Sequence, residues 1–168
     1  DDSTAAAANT TALKALLSGK TNAAFLATPG STYYFTYATP DSLVIPAGCV
    51  WFQRGASLRI YGRGASKGLV IGGDHVLIDF GGGDVWLRQY SGGTAFSGHG
   101  EYGCALAVGS YYLGTGYADW IVRNGSLRSD RADGSGIIIL GNCSRFLVEN
   151  ITFPRSQFIG RAVELHWG

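Results

Sequence analysis

Apolar and charged residues alternate in three short segments of the chain, and these segments superimpose without gaps. They are residues 75–80 (HVLIDF), 119–124 (DWIVRN) and 145–150 (RFLVEN). In each segment the second and fourth side chains are apolar, and the first and fifth are charged or histidine, which is the period of a half-buried β-strand. The pattern predicts three equivalent strands with their charged faces outside.

The spacing of these segments indicates a repeat. They are 44 and 26 residues apart, and residues 136–140 align with residues 162–167, again 26 residues later. Short strands repeated at such intervals and joined by brief turns predict a solenoid, here with one coil enlarged by a loop. Two inward rows are expected to stack from coil to coil, namely Val76/Trp120/Phe146 and Ile78/Val122/Val148.

The residues before the repeat predict a cap followed by irregular strands. Asp2 and Ser3 can cap a helix over Thr4–Leu17. Such a helix would cover the unpaired strand edges at one end of a solenoid. Over residues 21–67, short strand-like runs alternate with proline and glycine turns. We therefore expect one β-helix domain over 1–168, with a cap at 1–20, irregular strands at 21–67 and regular coils at 68–168.

Composition narrows the class of protein. The 13 basic and 12 acidic residues nearly cancel, which disfavours a nucleic-acid-binding protein. The 26 glycines are spread through turns, as expected for a strand-and-turn protein. No apolar run reaches the roughly 18 residues of a membrane-spanning helix, so no membrane association is expected.

The cysteines and the two ends of the chain support three further expectations. Cys49, Cys104 and Cys143 show no paired spacing, so buried free thiols are favoured over a disulfide or metal site. The chain contains no methionine, which indicates that translation began elsewhere. Its last strand ends without a turn or polar cap, so we expect a longer β-helix, continued by a further chain or subunit.

Several pieces of the sequence are similar to one known superfamily. The opening DDSTAAAANTTALKALL, the later SLVIPAGCVWF and the repeated WIVRN and FLVEN resemble the pectate-lyase-like right-handed parallel β-helix superfamily. The resemblance spans essentially the whole chain. It implies an all-β, right-handed parallel β-helix with a short N-terminal capping α-helix, in a secreted or extracellular protein. Because the superfamily includes lyases, hydrolases, epimerases and non-catalytic spikes, the resemblance is weaker for function than for fold.

Asn124 and Asn150 match the inward asparagine that follows the second strand of each coil in that superfamily. Stacked side-chain amides can hydrogen-bond one another from coil to coil, which satisfies groups that water does not reach. An inward side chain also cannot accept a glycan, although both residues stand in Asn-X-Ser/Thr triplets.

The resemblance further implies a glycan-binding groove along the first strands of the coils and the loops that enter them. The strands are residues 68–72, 104–109, 136–140 and 162–167, and the loops are residues 89–103, 129–135 and 154–161. Glu164 and His166 lie two apart on the last strand and therefore share a face, opposite to Val163 and Leu165. A carboxylate beside an imidazole on an exposed strand is suited to acid–base chemistry.

The loops supply the other candidates. Asp130 and Asp133 are candidate catalytic carboxylates, with turn formation as the alternative. The candidate substrate-binding residues are Arg131, Arg155, Arg161, His99, Glu101 and Tyr102. Arginine can hold a sugar carboxylate bidentately, and tyrosine can stack on a sugar ring. The alternative for all these polar residues is an ordinary solvated surface.

Two classes of function remain open. The first is a carbohydrate-active enzyme that cleaves a polysaccharide. A lyase needs a base and a cation, either arginine or Ca²⁺, beside the uronate carboxylate, whereas a hydrolase needs two carboxyl groups. The second is a non-catalytic β-helix, a spike, adhesin or glycan-binding segment.

Overall fold

A computed structural model describes residues 4–37, 39–90, 96, 103–109, 115–130, 136–154 and 162–166. Its elements are α1 (Thr4–Leu17), β1 (Ala24–Leu26), β2 (Thr32–Thr36), β3 (Leu43–Ile45), β4 (Val50–Phe52), β5 (Ser57–Gly62), β6 (Leu69–Ile71), β7 (Leu77–Asp79), β8 (Asp84–Gln89), β9 (Leu106–Val108), β10 (Ala118–Ser129), β11 (Ile137–Leu140), β12 (Ser144–Thr152) and β13 (Val163–His166). No helix in this part of the chain is long and apolar enough to cross a membrane.

The strands form a parallel β-solenoid. Sheet A consists of two arms that meet in the long strand β10: a first arm β1-β4-β7-β10, with β12 also on β10, and a second arm β2-β5-β8-β10. Sheet B runs β3-β6-β9-β11-β13. Every strand pair within the described residues is parallel. The predicted all-β parallel β-helix with an N-terminal helix is therefore confirmed.

The three segments that superimpose in sequence also superimpose in space. Leu77, Ile121 and Leu147 are register partners in β7, β10 and β12. The Trp120 side chain is fully buried and stacks on Phe146, with the ring centroids 4.5 Å apart and the planes 3° from parallel. The predicted inward stacking is confirmed, because every second side chain points into the core.

Residues 21–67 are more regular than expected. Strands β1, β2 and β3 pair in register with β4, β5 and β6, beginning at Ala24 opposite Val50. The expectation of irregular strands is corrected accordingly. The prolines and glycines of this region lie in the turns between strands, where Gly30 and Gly48 have positive φ. They separate the strands of each coil, as turn residues do in other proteins.

One corner of every coil uses the left-handed backbone conformation. The residues at this corner are Asn22 (φ 53°), Gly48 (φ 69°), His75 (φ 58°), Asp119 (φ 58°) and Arg145 (φ 47°). A single residue at positive φ turns the chain sharply enough to begin the next strand, although it strains any residue except glycine. The corners also bond between coils, since the amide of His75 donates to the carbonyl of Ala118 at 3.0 Å.

Helix α1 covers the edge of β2, as predicted for a cap. The Thr10 hydroxyl accepts a hydrogen bond from the amide of Thr36 at 2.9 Å and lies 3.1 Å from the carbonyl oxygen of the same residue. The Asn9 side-chain amide donates to the Tyr34 carbonyl at 3.2 Å. Helix side chains thus take the place of a neighbouring strand, which satisfies backbone groups that an edge would leave unpaired.

Replacing Thr10 by valine is expected to lower the free energy of unfolding by about 1–3 kcal/mol, because valine has the same shape but lacks the oxygen that accepts the hydrogen bond from the Thr36 amide. Urea unfolding followed by circular dichroism measures the change. The matched control is Thr11→Val, whose exposed hydroxyl bonds only within the helix, to the Ala7 carbonyl. Equal losses in the two variants would contradict a role for Thr10 in the cap.

The final coil exposes part of its inner face. Val163 and Leu165 are register partners of the buried Ile137 and Ile139, yet they are 42% and 49% exposed. The predicted association with a further chain or subunit stays a prediction.

Candidate functional site

The outward face of sheet B is open at one end and buried at the other. One outward column contains Val44, Val70, Ala107 and Glu164, and the backbone of Ile138 is the register partner of both Ala107 and Glu164. Val44 is 43% exposed, whereas Ala107 is fully buried and Glu164 is 8% exposed. The expectation that Glu164 lies on an exposed groove strand is therefore wrong. Alternation assigned its face correctly, but the face is covered at this position.

Most of the other predicted site residues cannot be placed. Arg131, Asp133, Arg155, Arg161, His99, Glu101 and Tyr102 lie outside the described residues. The backbone of His166 pairs with Leu140 at the end of β13. Asp130 follows β10 on sheet A, whereas Glu164 lies on sheet B. These two candidate catalytic carboxylates thus belong to different sheets.

Asp130 is held by hydrogen bonds. One oxygen accepts from the Trp86 indole N–H at 2.7 Å, and the other accepts from the backbone amide of Gln89 at 3.2 Å. The Arg88 Nε lies 3.9 Å from the second oxygen. Both carboxylate oxygens therefore accept hydrogen bonds, and the bond from the indole N–H orients the Trp86 ring.

Trp86 lies in a surface that we call the arginine–aromatic face, the outward side of the second arm of sheet A. One row across the coils consists of Tyr34, Arg59, Trp86 and Arg128, which are successive register partners, and the next row contains Tyr61 and Arg88. Arg63 and Tyr90 follow β5 and β8 at the margin. The residues between them on each strand, such as Leu58, Val85 and Leu127, are buried in the core. The strand period thus places the polar and aromatic side chains together outside.

Guanidinium groups surround the Trp86 ring. Those of Arg59, Arg88 and Arg128 lie 5.4, 4.5 and 5.6 Å from its centroid. At the margin, Arg63 lies 3.6 Å from the centroid of Tyr90. Cation–π contacts of this kind hold a guanidinium by its flat face, while its N–H groups point outward in the plane.

The face carries a surplus of positive charge. Asp84 accepts hydrogen bonds from Arg59 Nη1 at 2.7 Å and from the Ser57 hydroxyl at 2.5 Å. The carboxylates among these groups are therefore Asp84 and Asp130. The guanidinium groups number four, those of Arg59, Arg63, Arg88 and Arg128. Cations thus outnumber anions on this face, although the charges of the whole chain almost balance.

A ladder of hydrogen-bonded polar side chains lies at the corner between the two arms. The Asn150 amide donates to the Asn124 side-chain oxygen at 3.2 Å, and the Asn124 amide donates to Asp79 at 3.2 Å. The predicted amide ladder between coils is therefore confirmed. Asn150 is nevertheless exposed, so the burial that was expected to exclude a glycan there is not observed.

Asp79 is ionised more readily than an ordinary carboxyl group. Burial raises its pKa, but hydrogen bonds from Asn124, Arg123 and the Gly81 amide outweigh burial, so the pKa is lowered. Arg123 Nε donates to Asp79 at 2.8 Å. The ionised carboxylate therefore ties β7 to β10.

We expect Asp79→Asn to lower the free energy of unfolding by about 1–3 kcal/mol at neutral pH and to make its decline in acid shallower. Because the folded pKa lies below the unfolded value, the stabilisation is present above the unfolded pKa and is lost as pH falls through the folded pKa. Urea unfolding between pH 7 and 2 measures both effects. Glu149→Gln is the control, since its carboxylate is 3.8 Å from Arg123 in a looser pair. An unchanged acid dependence in Asp79→Asn would contradict the assignment.

The described residues contain no group of three or more histidine, cysteine, aspartate or glutamate side chains that could hold a metal ion. Cys49, Cys104 and Cys143 are buried and form no disulfide with one another, so the expectation that these thiols are buried is confirmed. A Ca²⁺ ion in a lyase reaction stays a prediction.

Sequence reasoning missed the arginine–aromatic face, although a signal was present. Ser-Leu-Arg occurs at residues 57–59 and again at 126–128, and Asp-Val-Trp at residues 84–86 has the same order of outward, inward and outward side chains. These three segments are register partners. Aligning them would have placed Arg59, Trp86 and Arg128 in one row.

Comparisons with known proteins give no relative from which a role could be carried over. No family model matches the chain, and no curated protein or solved structure matches it significantly. The parallel β-solenoid is established by its strand pairing, and the resemblance to the pectate-lyase-like superfamily remains a resemblance.

Proposed function

We propose that this β-helix protein binds an acidic polysaccharide on the arginine–aromatic face. The observation that carries the proposal is the position of Trp86 among Arg59, Arg88 and Arg128 on an outward row that continues from coil to coil. Sugar rings pack on aromatic side chains. Planar guanidinium groups bind carboxylate and sulfate oxygens with directed, charge-assisted hydrogen bonds.

The shape of the face favours a linear polymer over a small molecule. Tyr34, Arg59, Trp86 and Arg128 belong to four consecutive strands of one arm, and neighbouring strands lie about 4.8 Å apart. A ligand that contacts the whole row must extend across the coils. The near balance of charge over the whole chain disfavours nucleic acid, whose binding depends on many phosphate contacts.

Cleavage of the polysaccharide by a lyase or hydrolase is the more specific hypothesis, and it stays a prediction from the resemblance. The geometry around Asp130 favours the non-catalytic alternative at this face. Both of its oxygens accept hydrogen bonds, from Trp86 and Gln89, so the carboxylate already serves to orient the Trp86 ring. On sheet B, burial of Glu164 limits the access that a polymer would need.

Isothermal titration calorimetry with polygalacturonate, dextran sulfate and neutral dextran tests the proposal. We expect binding to the two acidic polymers, weakening as salt is raised, and little binding to dextran. Equal binding to neutral dextran, or binding to none of the three, would contradict it. Reducing ends and unsaturated products measured in the same mixtures would show whether cleavage accompanies binding.

An extracellular location and an assembly with a further chain or subunit are also proposals. The exposed inner-face residues Val163 and Leu165 support the assembly, because apolar strand surface is normally covered. Light scattering after size-exclusion chromatography tests it, and a mass equal to that of one chain would argue against it.

A further inference from the structure

The arginine–aromatic face contains polar groups that the protein itself leaves unsatisfied. Among the described residues, the buried side-chain polar atoms without a hydrogen-bond partner are Arg88 Nε, Ser126 Oγ and Arg128 Nε. All three belong to outward-facing residues of this arm, since Ser126 is the register partner of Asp84. Buried polar groups are almost always paired, so these three atoms show that hydrogen bonds within the protein hold the outward side chains of this arm incompletely.

The three arginines around Trp86 differ in what they bind. Arg59 donates to Asp84 at 2.7 Å, and Arg88 donates to the Tyr61 hydroxyl at 2.8 Å. The Arg128 Nε is 3.9 Å from Asp84, which is beyond hydrogen-bond distance. Arg128 is thus positioned chiefly by stacking on Trp86, and 32% of its side-chain surface is exposed.

We propose that Arg128 binds the anionic group of the polysaccharide through the terminal N–H groups of its guanidinium, while Arg59 and Arg88 mainly hold the face together. This inference rests on the proposed function. The Nε atom of Arg128 is buried, but 32% of the side-chain surface is exposed, so a ligand would contact the two terminal nitrogens. Both of these nitrogens are donors, and together they match two oxygens of a carboxylate or sulfate.

Two neighbours, Trp86 and Asp84, position the Arg128 side chain before a ligand binds. Its stacking on Trp86 restricts the guanidinium before any ligand arrives, which reduces the entropy lost on binding. Asp84 already accepts hydrogen bonds from Ser57 and Arg59. It therefore attracts Arg128 electrostatically without occupying its N–H groups.

The experiment is calorimetric titration of four proteins with polygalacturonate and with dextran sulfate. The proteins are the wild type, Arg128→Gln, Arg59→Gln and the control Arg145→Gln, whose arginine is 69% exposed and bonded to Asp119 at the corner of the coil. We expect Arg128→Gln to weaken binding about tenfold or more and to make it less dependent on salt. Arg59→Gln should lower the melting temperature with a smaller change in affinity, and Arg145→Gln should bind as the wild type does.

The outcomes separate this inference from the proposed function. Weaker binding in Arg128→Gln, with wild-type affinity in Arg145→Gln, supports the role of Arg128, and the probe that the wild type binds more tightly identifies a carboxylate or a sulfate ligand. Wild-type affinity in Arg128→Gln, combined with loss of binding in Trp86→Ala, would overturn the role of Arg128 and leave the function standing. Absence of binding in the wild type would overturn both.

A second variant guards against misfolding of Arg128→Gln. Arg128→Lys keeps the positive charge but loses the planar pair of donors, so its melting temperature should stay close to that of the wild type. We expect its affinity for the preferred probe to drop about threefold, which corresponds to the loss of about one weak hydrogen bond. An unchanged affinity in this variant would also count against the inference.

Discussion

Replacing Trp120 by alanine is expected to lower the free energy of unfolding by about 3–5 kcal/mol, the usual cost of truncating a buried tryptophan. The side chain is fully buried, stacks on Phe146, and donates its indole N–H to the Tyr117 carbonyl at 3.2 Å. The truncation would leave a cavity between two coils and remove one of the two hydrogen bonds to the Tyr117 carbonyl, which also accepts from the Ser144 amide. The free energy of unfolding of a whole domain is usually about 5–15 kcal/mol, so this loss is a large fraction of it.

Urea unfolding monitored by far-ultraviolet circular dichroism measures this effect. The matched control is Ile121→Ala, one residue further along β10, where the side chain faces outward and is only partly buried. We expect a clearly smaller loss in the control. Similar losses in the two variants would mean that the stacked inward row does not dominate the stability of the coils.

Replacing Trp86 by alanine is expected to weaken binding of polygalacturonate about 30-fold or more while the solenoid stays folded. Trp86 is the shared stacking partner of Arg59, Arg88 and Arg128, so its removal frees three guanidinium groups at once. It also removes the aromatic surface and the hydrogen bond to Asp130. Aromatic residues at the centre of a binding surface commonly contribute about 2 kcal/mol or more.

Calorimetric titration of the variant, with its melting temperature measured in parallel, tests this expectation. Phe52→Ala is the control, because Phe52 is a partly exposed aromatic residue at the end of β4, in the other arm of sheet A. Its affinity should equal that of the wild type. If both variants bind equally well, the ligand does not use the arginine–aromatic face.

The sequence by itself determined the class of fold. Alternation in three segments and a spacing of 26 residues sufficed to predict that Trp120 would stack on Phe146. The physical reason is that a strand has a period of two, and that each coil of a solenoid contacts only its neighbours. The regular pairing of the strands within residues 21–67 escaped prediction because several of them, such as β1 and β3, have only three residues. Three residues are too few for alternation to stand out.

Only the tertiary structure decided what lies at the surface. Alternation places Glu164 on the outward side of sheet B, but it cannot show that this side is covered there, so burial of Glu164 was not foreseen. The arginine–aromatic face likewise joins Trp86 to Asp130, which lie 44 residues apart in sequence. Coils of unequal length bring such residues together, and the register between coils is set by core packing and backbone hydrogen bonds, which form only when the whole solenoid folds.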